Sequence, residues 1–168
     1  MADEFRKRKT LMDACQELAE LVSYHTNGRG DGTHATAIPQ LEFIRESVAP
    51  TILRAVYEPT LCIIVQGQKE TLLGQETYHY GATQYLVVTV DLPLSGNIVE
   101  ATPDQPYLCF KLNLNATQLW EIIDQIGHRP DQKESSVRGL FVNDAKVPLI
   151  DSASRLTRLL DTPEDIPF

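Results

Sequence analysis

Between Pro39 and Asn113 closely spaced turn signals cut the chain into short β-prone runs, and this punctuation limits the fold more than any other feature. Leu41–Arg45 and Ile52–Tyr57 open the series. Leu61–Val65 is continuously apolar, as expected of a strand buried on both faces. Gly67-Gln68 then reads as a tight hairpin into Lys69–Leu73, and Gly74-Gln75 as a second hairpin into Thr77–Tyr80. Tyr85–Val90 follows and is expected to end at Asp91-Leu92-Pro93, because proline cannot donate to a strand ladder. Asn97–Glu100 and Tyr107–Leu112 complete the run, the latter alternating Leu108, Phe110 and Leu112 with more polar neighbours. Many short strands at close spacing predict a β-sandwich or barrel.

Helical patterns flank this β region, so the chain is not an alternating βαβ fold. From Arg8 to Tyr24, Leu11, Cys15, Leu18 and Val22 form a helical stripe. Asn27–Gly32 carries three glycines and reads as a flexible linker. After the β region, Asn115 caps a helix whose stripe is Leu119, Ile122, Ile123 and Ile126, and Gly127 stops it. A polar loop is expected over His128–Arg138, a brief strand at Gly139–Val142, and a last helix over about Asp151–Leu160. The organisation read from these patterns is a helix and linker over 1–35, a β-barrel over 36–114 and a helical segment over 115–168.

Bulk chemistry excludes several functions. The net charge of −8 repels phosphate backbones, so this segment is not expected to bind nucleic acid directly. The basic run Arg6–Lys9 follows Asp3 and Glu4 and reads as a solvated helix end. No apolar stretch is long enough for a membrane helix, and no apolar core follows the charged N-terminus as a secretory signal requires. Cys15, Cys62 and Cys109 are odd in number and widely spaced, which speaks against a disulfide framework or a zinc site and for a reducing, cytoplasmic setting.

Three longer stretches carry a family likeness. Tyr57–Lys69 (YEPTLCIIVQGQK), Tyr85–Pro93 (YLVVTVDLP) and Leu159–Pro167 (LLDTPEDIP), with Ile38–Leu41 before them, resemble the N-terminal domain of AraC-type bacterial transcription regulators. The resemblance covers roughly Thr36 to the C-terminus. It implies a mainly β fold with flanking helices, a cupin-like barrel that senses a small-molecule effector and often forms a homodimer. It also implies a following region with two helix-turn-helix units for DNA. Nothing from Glu134 to Phe168 is basic or long enough to be that region, so the chain is expected to be a fragment touching DNA only through a missing C-terminal part.

Cupin enzymes hold a metal with clustered histidines. Here His25, His34, His79 and His128 are scattered, so neither metal nor other cofactor is expected, and no catalytic residues are assigned. His79, between two tyrosines, reads as a surface or hydrogen-bonded residue. Cys62 and Cys109 lie in apolar runs, where burial raises a thiol pKa and opposes redox sensing. A small barrel can still hold one ligand. On the cupin-like positions that the resemblance implies, Arg54, Tyr57, Asn97, Glu100 and Tyr107 are the candidate effector-binding residues. The competing expectations are a metal-dependent cupin-type isomerase or dioxygenase, and an interaction module with a filled barrel.

Overall fold

The computed structural model describes residues 2–49, 52–127 and 139–167, with side chains described from residue 10 onward. The chain opens with helix α1 (Ala2–Thr26). Nine strands follow: β1 (Gly32–Ala35), β2 (Leu41–Glu46), β3 (Leu53–Tyr57), β4 (Thr60–Gln66), β5 (Gln68–Leu73), β6 (Glu76–Gly81), β7 (Gln84–Val88), β8 (Leu92–Glu100) and β9 (Tyr107–Asn113). Then come α2 (Ala116–Ile126), β10 (Leu140–Asp144), α3 (Val147–Arg158) and two 3₁₀ turns, Leu159–Asp161 and Pro163–Asp165. All pairings are antiparallel. The large sheet runs β1-β2-β9-β4-β7-β10, and the small one β3-β8-β5-β6.

The large sheet is covered on both faces. Its outer face sets Leu41, Phe43, Ile63, Val65, Leu108 and Phe110 against Cys15, Leu18 and Val22 of α1 and Ile150 of α3. Its inner face packs Cys62, Ile64, Leu86, Val88, Tyr107 and Cys109 against Tyr80, Leu94 and Ile98 of the small sheet. That double burial is why β4 reads as an unbroken apolar run: Ile63 and Val65 serve one core, Cys62 and Ile64 the other. Each fully buried side chain of this kind contributes roughly 1.5–3 kcal/mol.

Several expectations change in the folded chain. The supposed linker is built into the domain: Gly32–Ala35 pairs with Arg45–Glu42 as an edge strand, buried His34 sets Nε2 2.9 Å from the Gly30 carbonyl, and Asp31 accepts from the Ser47 amide and hydroxyl. Turn residues here position a strand instead of loosening the chain. Gly67-Gln68 is not a hairpin, because β4 and β5 belong to different sheets. Gly67 is the corner where the chain crosses between them, with φ +86°. Gly74, at φ +62°, does make the second hairpin, with Leu73 opposite Glu76. Pro93 lies inside β8 instead of ending β7. The β5 ladder reaches β8 only from Ser95 onward, so Pro93 has β3 alone as a neighbour and its missing donor breaks no ladder to β5.

The helices differ from their stripes mainly in extent. The stripe of α1 marks only the part packed on the sheet. Pro148 sits in the first turn of α3, where a missing N–H costs nothing, so that helix starts earlier than expected. The Asn115 cap is as read: its Oδ1 accepts from the Gln118 amide at 3.1 Å, and Gly127 stops the helix at φ +67°. Helix α2 buries none of its residues. The loop read over 128–138 and the side chains of Arg6–Lys9 lie outside the described residues.

Gly67 tests the corner. A Cβ there would stand 2.7 Å from the Glu100 carbonyl oxygen and 3.2 Å from the Tyr107 Cα, on top of the positive φ. Gly67→Ala is therefore expected to destabilise the domain by about 2 kcal/mol or more in urea unfolding, against gains of up to about 1 kcal/mol where alanine fits. A change under half a kcal/mol would mean the corner is not constrained.

Candidate functional site

The space between the sheets holds a polar cluster in otherwise apolar surroundings. On β5, Lys69 and Thr71 share the inward face, since Lys69 stands opposite Ile98 and Thr71 opposite Gly96. The Lys69 ammonium donates to the Tyr57 hydroxyl at 3.0 Å and lies 5.4 Å from that ring's centroid. The Thr71 and Tyr80 hydroxyls are 2.8 Å apart, both buried. Gly96 makes room for the lysine: a Cβ there would meet Lys69 Cε at 3.0 Å and Nζ at 3.5 Å. Tyr107 closes the interior beside Cys109.

Charge is distributed unequally in this space. Burial pulls the Lys69 pKa down, but Tyr80, Tyr57 and the bond to Tyr57 more than offset it, leaving the ammonium above its ordinary range. Burial drives the Tyr80 and Tyr107 phenols up, so both are neutral at physiological pH. A second lysine on the inward face of the large sheet, Lys111, stands opposite Glu42 and bonds its carboxylate at 2.8 Å, with Asn113 on the same oxygen at 3.1 Å. That hydrogen bond from Lys111 holds Glu42 below its ordinary value. Lys111 is neutralised; Lys69 has no carboxylate within ion-pair distance among the described residues.

The cysteines behave differently from one another. Burial raises Cys15, as expected of a buried thiol. Cys109 is also high, through its hydrogen bond to Cys62 and burial. Cys62 departs from the sequence reading: the hydrogen bond from Cys109 holds its thiol below the ordinary value against desolvation, helped by Lys69 and Lys111.

Strand β3 forms an edge of the small sheet. Its inward-facing positions are Leu53, Ala55 and Tyr57, opposite Gly96, Leu94 and Leu92. Leu53 is nonetheless 58% exposed, and Ala55 is exposed too. An uncovered apolar wall therefore runs beside the lysine head. Elsewhere, a surface cleft of about 250 Å3 lies between His25, Arg29, Ala35, Thr36, Ala37 and Leu160, with His25 Nε2 3.5 Å from the Asp161 carboxylate.

Of the five residues singled out from sequence, Tyr57 and Tyr107 face this interior. Arg54 stands opposite Ser95, on the other face of the small sheet from Leu94 and Gly96, and is exposed. Asn97, opposite Glu70, shares that outer face. Glu100 is exposed beyond the register shift at Gln68/Lys69. Lys69, Thr71 and Tyr80 were not singled out. Their signal was the alternation Lys69/Thr71/Leu73 and Tyr78/Tyr80, which does not say which face is inward. His79 is on the surface beside Glu70, Nδ1 to Oε2 3.3 Å. Among the described residues no three His, Cys, Asp or Glu side chains come together as a metal-binding group.

Two antiparallel sheets that exchange strands around a partly open interior, backed by helices, define a cupin-like jelly roll. The chain belongs to the family of AraC-type transcriptional regulator N-termini, whose profile matches residues 37–168. Crystal structures of the Vibrio cholerae regulator ToxT share the fold. An apo ToxT variant aligns with TM-score 0.50 and 8% identity over 78% of this chain and 49% of its own, and ToxT from strain O395 with 0.50 and 10% over 77% and 47%. The chain thus spans about half the length of these structures. No curated protein matches it.

The Glu42–Lys111 pair gives a pH test. Glu42 titrates lower in the folded chain than when unfolded, so its stabilisation is present above the ordinary carboxylate value of 4.5 and is lost as pH falls through the folded value. Glu42→Gln should therefore flatten the loss of stability below about pH 5 in acid titrations followed by circular dichroism. Identical acid limbs for both proteins would show that the pair carries no such linkage.

Proposed function

We propose that this chain is the effector-sensing and dimerising part of a cytoplasmic AraC-type regulator and not an enzyme, its job being occupancy of the space between the sheets. Family membership supports the regulatory role. The observation that carries the sensing role is the uncovered inner wall of β3 leading to Tyr57 and Lys69. Binding there would shift the populations of two arrangements of the segment 115–168. A helix-turn-helix region outside this chain would read that shift and contact DNA. His34 and His79 are engaged separately, at the Gly30 carbonyl and the Glu70 carboxylate, and no three metal-ligating side chains meet among the described residues, which supports a binding site more than a metal centre. Among the described residues no helix is long and apolar enough to cross a membrane.

Helix α2 is the proposed dimer surface. Its stripe is Leu119, Ile122, Ile123 and Ile126, and beside it Trp120 is 70% exposed. A helix that buries none of its side chains among the described residues yet keeps such a face calls for another surface to cover it.

Two measurements test these roles. In a thermal-shift panel of acidic, neutral and basic small metabolites, a true effector at a hundred times its dissociation constant adds about 2.7 kcal/mol, a rise of roughly 5–11 °C for a chain this size. A panel without any shift, or turnover of a shifting compound, would remove the sensing role. Light scattering should show a dimer that Ile122→Asp and Ile126→Asp convert to monomer, the folded monomer signal being retained. A strict monomer before mutation sinks the dimer role.

A further inference from the structure

Two lysines face the space between the sheets, and they serve as each other's control. Lys111 is met at 2.8 Å by Glu42, whose carboxylate also accepts from Asn113. Lys69 is met by one phenol oxygen and one aromatic face. An ammonium has three donors, so two remain without a hydrogen-bond partner among the described residues once Tyr57 has taken one. Withdrawing such a charge from bulk water without a counterion is unfavourable, and the cost is relieved when an anion arrives. Gly96 adds a second observation, because its missing side chain is what lets the lysine head lie across β8 toward the exposed wall of β3.

We infer that Lys69 is the anchor for a small organic monoanion, most simply a carboxylate, whose apolar body lies along Leu53 and Ala55. This rests on the sensing role proposed above and names the ligand class. The body must be apolar because the inward positions of β3 and β8 next to the ammonium are Leu53, Ala55, Leu94 and Ile98. The head must be singly charged because Lys111 is already neutralised and the chain as a whole carries −8, which opposes multiply charged anions such as phosphates. Tyr57 is placed to donate its own O–H to the arriving head group while it accepts from Lys69.

The rival partner is internal. Glu46, at the end of β2, stands opposite Tyr107 and senses the charge of Lys69. No ion pair joins the two among the described residues, and burial and Asp31 raise the Glu46 carboxyl more than His34 and Lys69 lower it. Glu46 is thus a nearby carboxyl that Lys69 does not hold.

The test is calorimetric titration of this chain with octanoate and 4-phenylbutyrate, each beside its matched primary alcohol. The carboxylates should bind at least tenfold tighter than the alcohols, which is 1.4 kcal/mol. Lys69→Met should erase that preference by weakening the carboxylates to the level of the alcohols, Lys69→Arg should keep it within a few-fold, and Glu46→Gln should not weaken it. Should Lys69→Met fail to fold, Lys69→Gln takes its place, and the preference of the unaltered chain still decides. Equal binding of acids and alcohols, or a preference that survives Lys69→Met, overturns the anion anchor but leaves a sensor of neutral ligands standing. Loss of the preference in Glu46→Gln would overturn it in favour of an internal ion pair. Absence of binding by all four compounds overturns it as well, and with an empty metabolite panel the sensing role falls with it.

Discussion

Everything in this domain hangs on a sheet that must be covered twice. Strands β4 and β9 present apolar side chains on both faces, so neither core can form without the other. Helices α1 and α3 supply one cover, joined to each other by the Arg158–Glu17 ion pair. The small sheet supplies the other, and the chain reaches it only by crossing between sheets. Gly67 makes one such crossing in a space where the Glu100 carbonyl leaves no room for a side chain. Closing the inner core therefore depends on a backbone conformation that glycine alone adopts without strain.

That inner core is not sealed. Most of its lining is apolar and inaccessible, but β3 lies at the sheet edge with its inward face partly open. A protein optimised for stability alone would cover such a wall or make it polar, because exposed apolar edges invite unwanted pairing. It would also pair a half-buried ammonium or replace it by an isosteric apolar residue. The domain does neither at Lys69, although it does the first at Lys111. Two departures from local economy at the same place are the pattern expected where function, not folding, sets the residues.

Much of the architecture was legible in the sequence, and the failures share one cause. Leu61–Val65 announced a doubly buried strand, and Asn115 with Gly127 announced both ends of α2, because those signals are local. The role of Gly67 was not legible: a glycine between two strand patterns reads as a hairpin, and only the sheet assignment of the flanking strands shows a crossing. Pro93 misled for the same reason, since its tolerance in β8 depends on where the β5 ladder ends. Among the candidate site residues, Arg54 and Tyr57 sit three apart on one strand and so fall on opposite faces. Naming both as inward was incompatible with a regular strand, and Tyr57 is the one the register places inside. Lys69 escaped notice because a lysine in a short strand ordinarily marks an edge or a solvated face.

The site and the proposed dimer helix are connected by short covalent and hydrogen-bonded routes. Strand β9 carries Tyr107 and Lys111 on its inward face and ends at Asn113, two residues before the Asn115 cap of α2. Between them the Leu114 amide donates to the Pro59 carbonyl at 2.9 Å. Pro59 is itself two residues from Tyr57 on edge strand β3. A ligand that repositions Tyr57 and Lys69 thus acts on the linker after β3, and that linker is tied to the residue from which α2 departs. Among the described residues helix α2 buries no side chain, so small changes at its base are not resisted by a buried face. Coupling of this kind needs no long chain of side chains. It needs an occupied interior, a fixed hinge at Leu114, and a helix with an exposed apolar stripe, the surface proposed for the dimer.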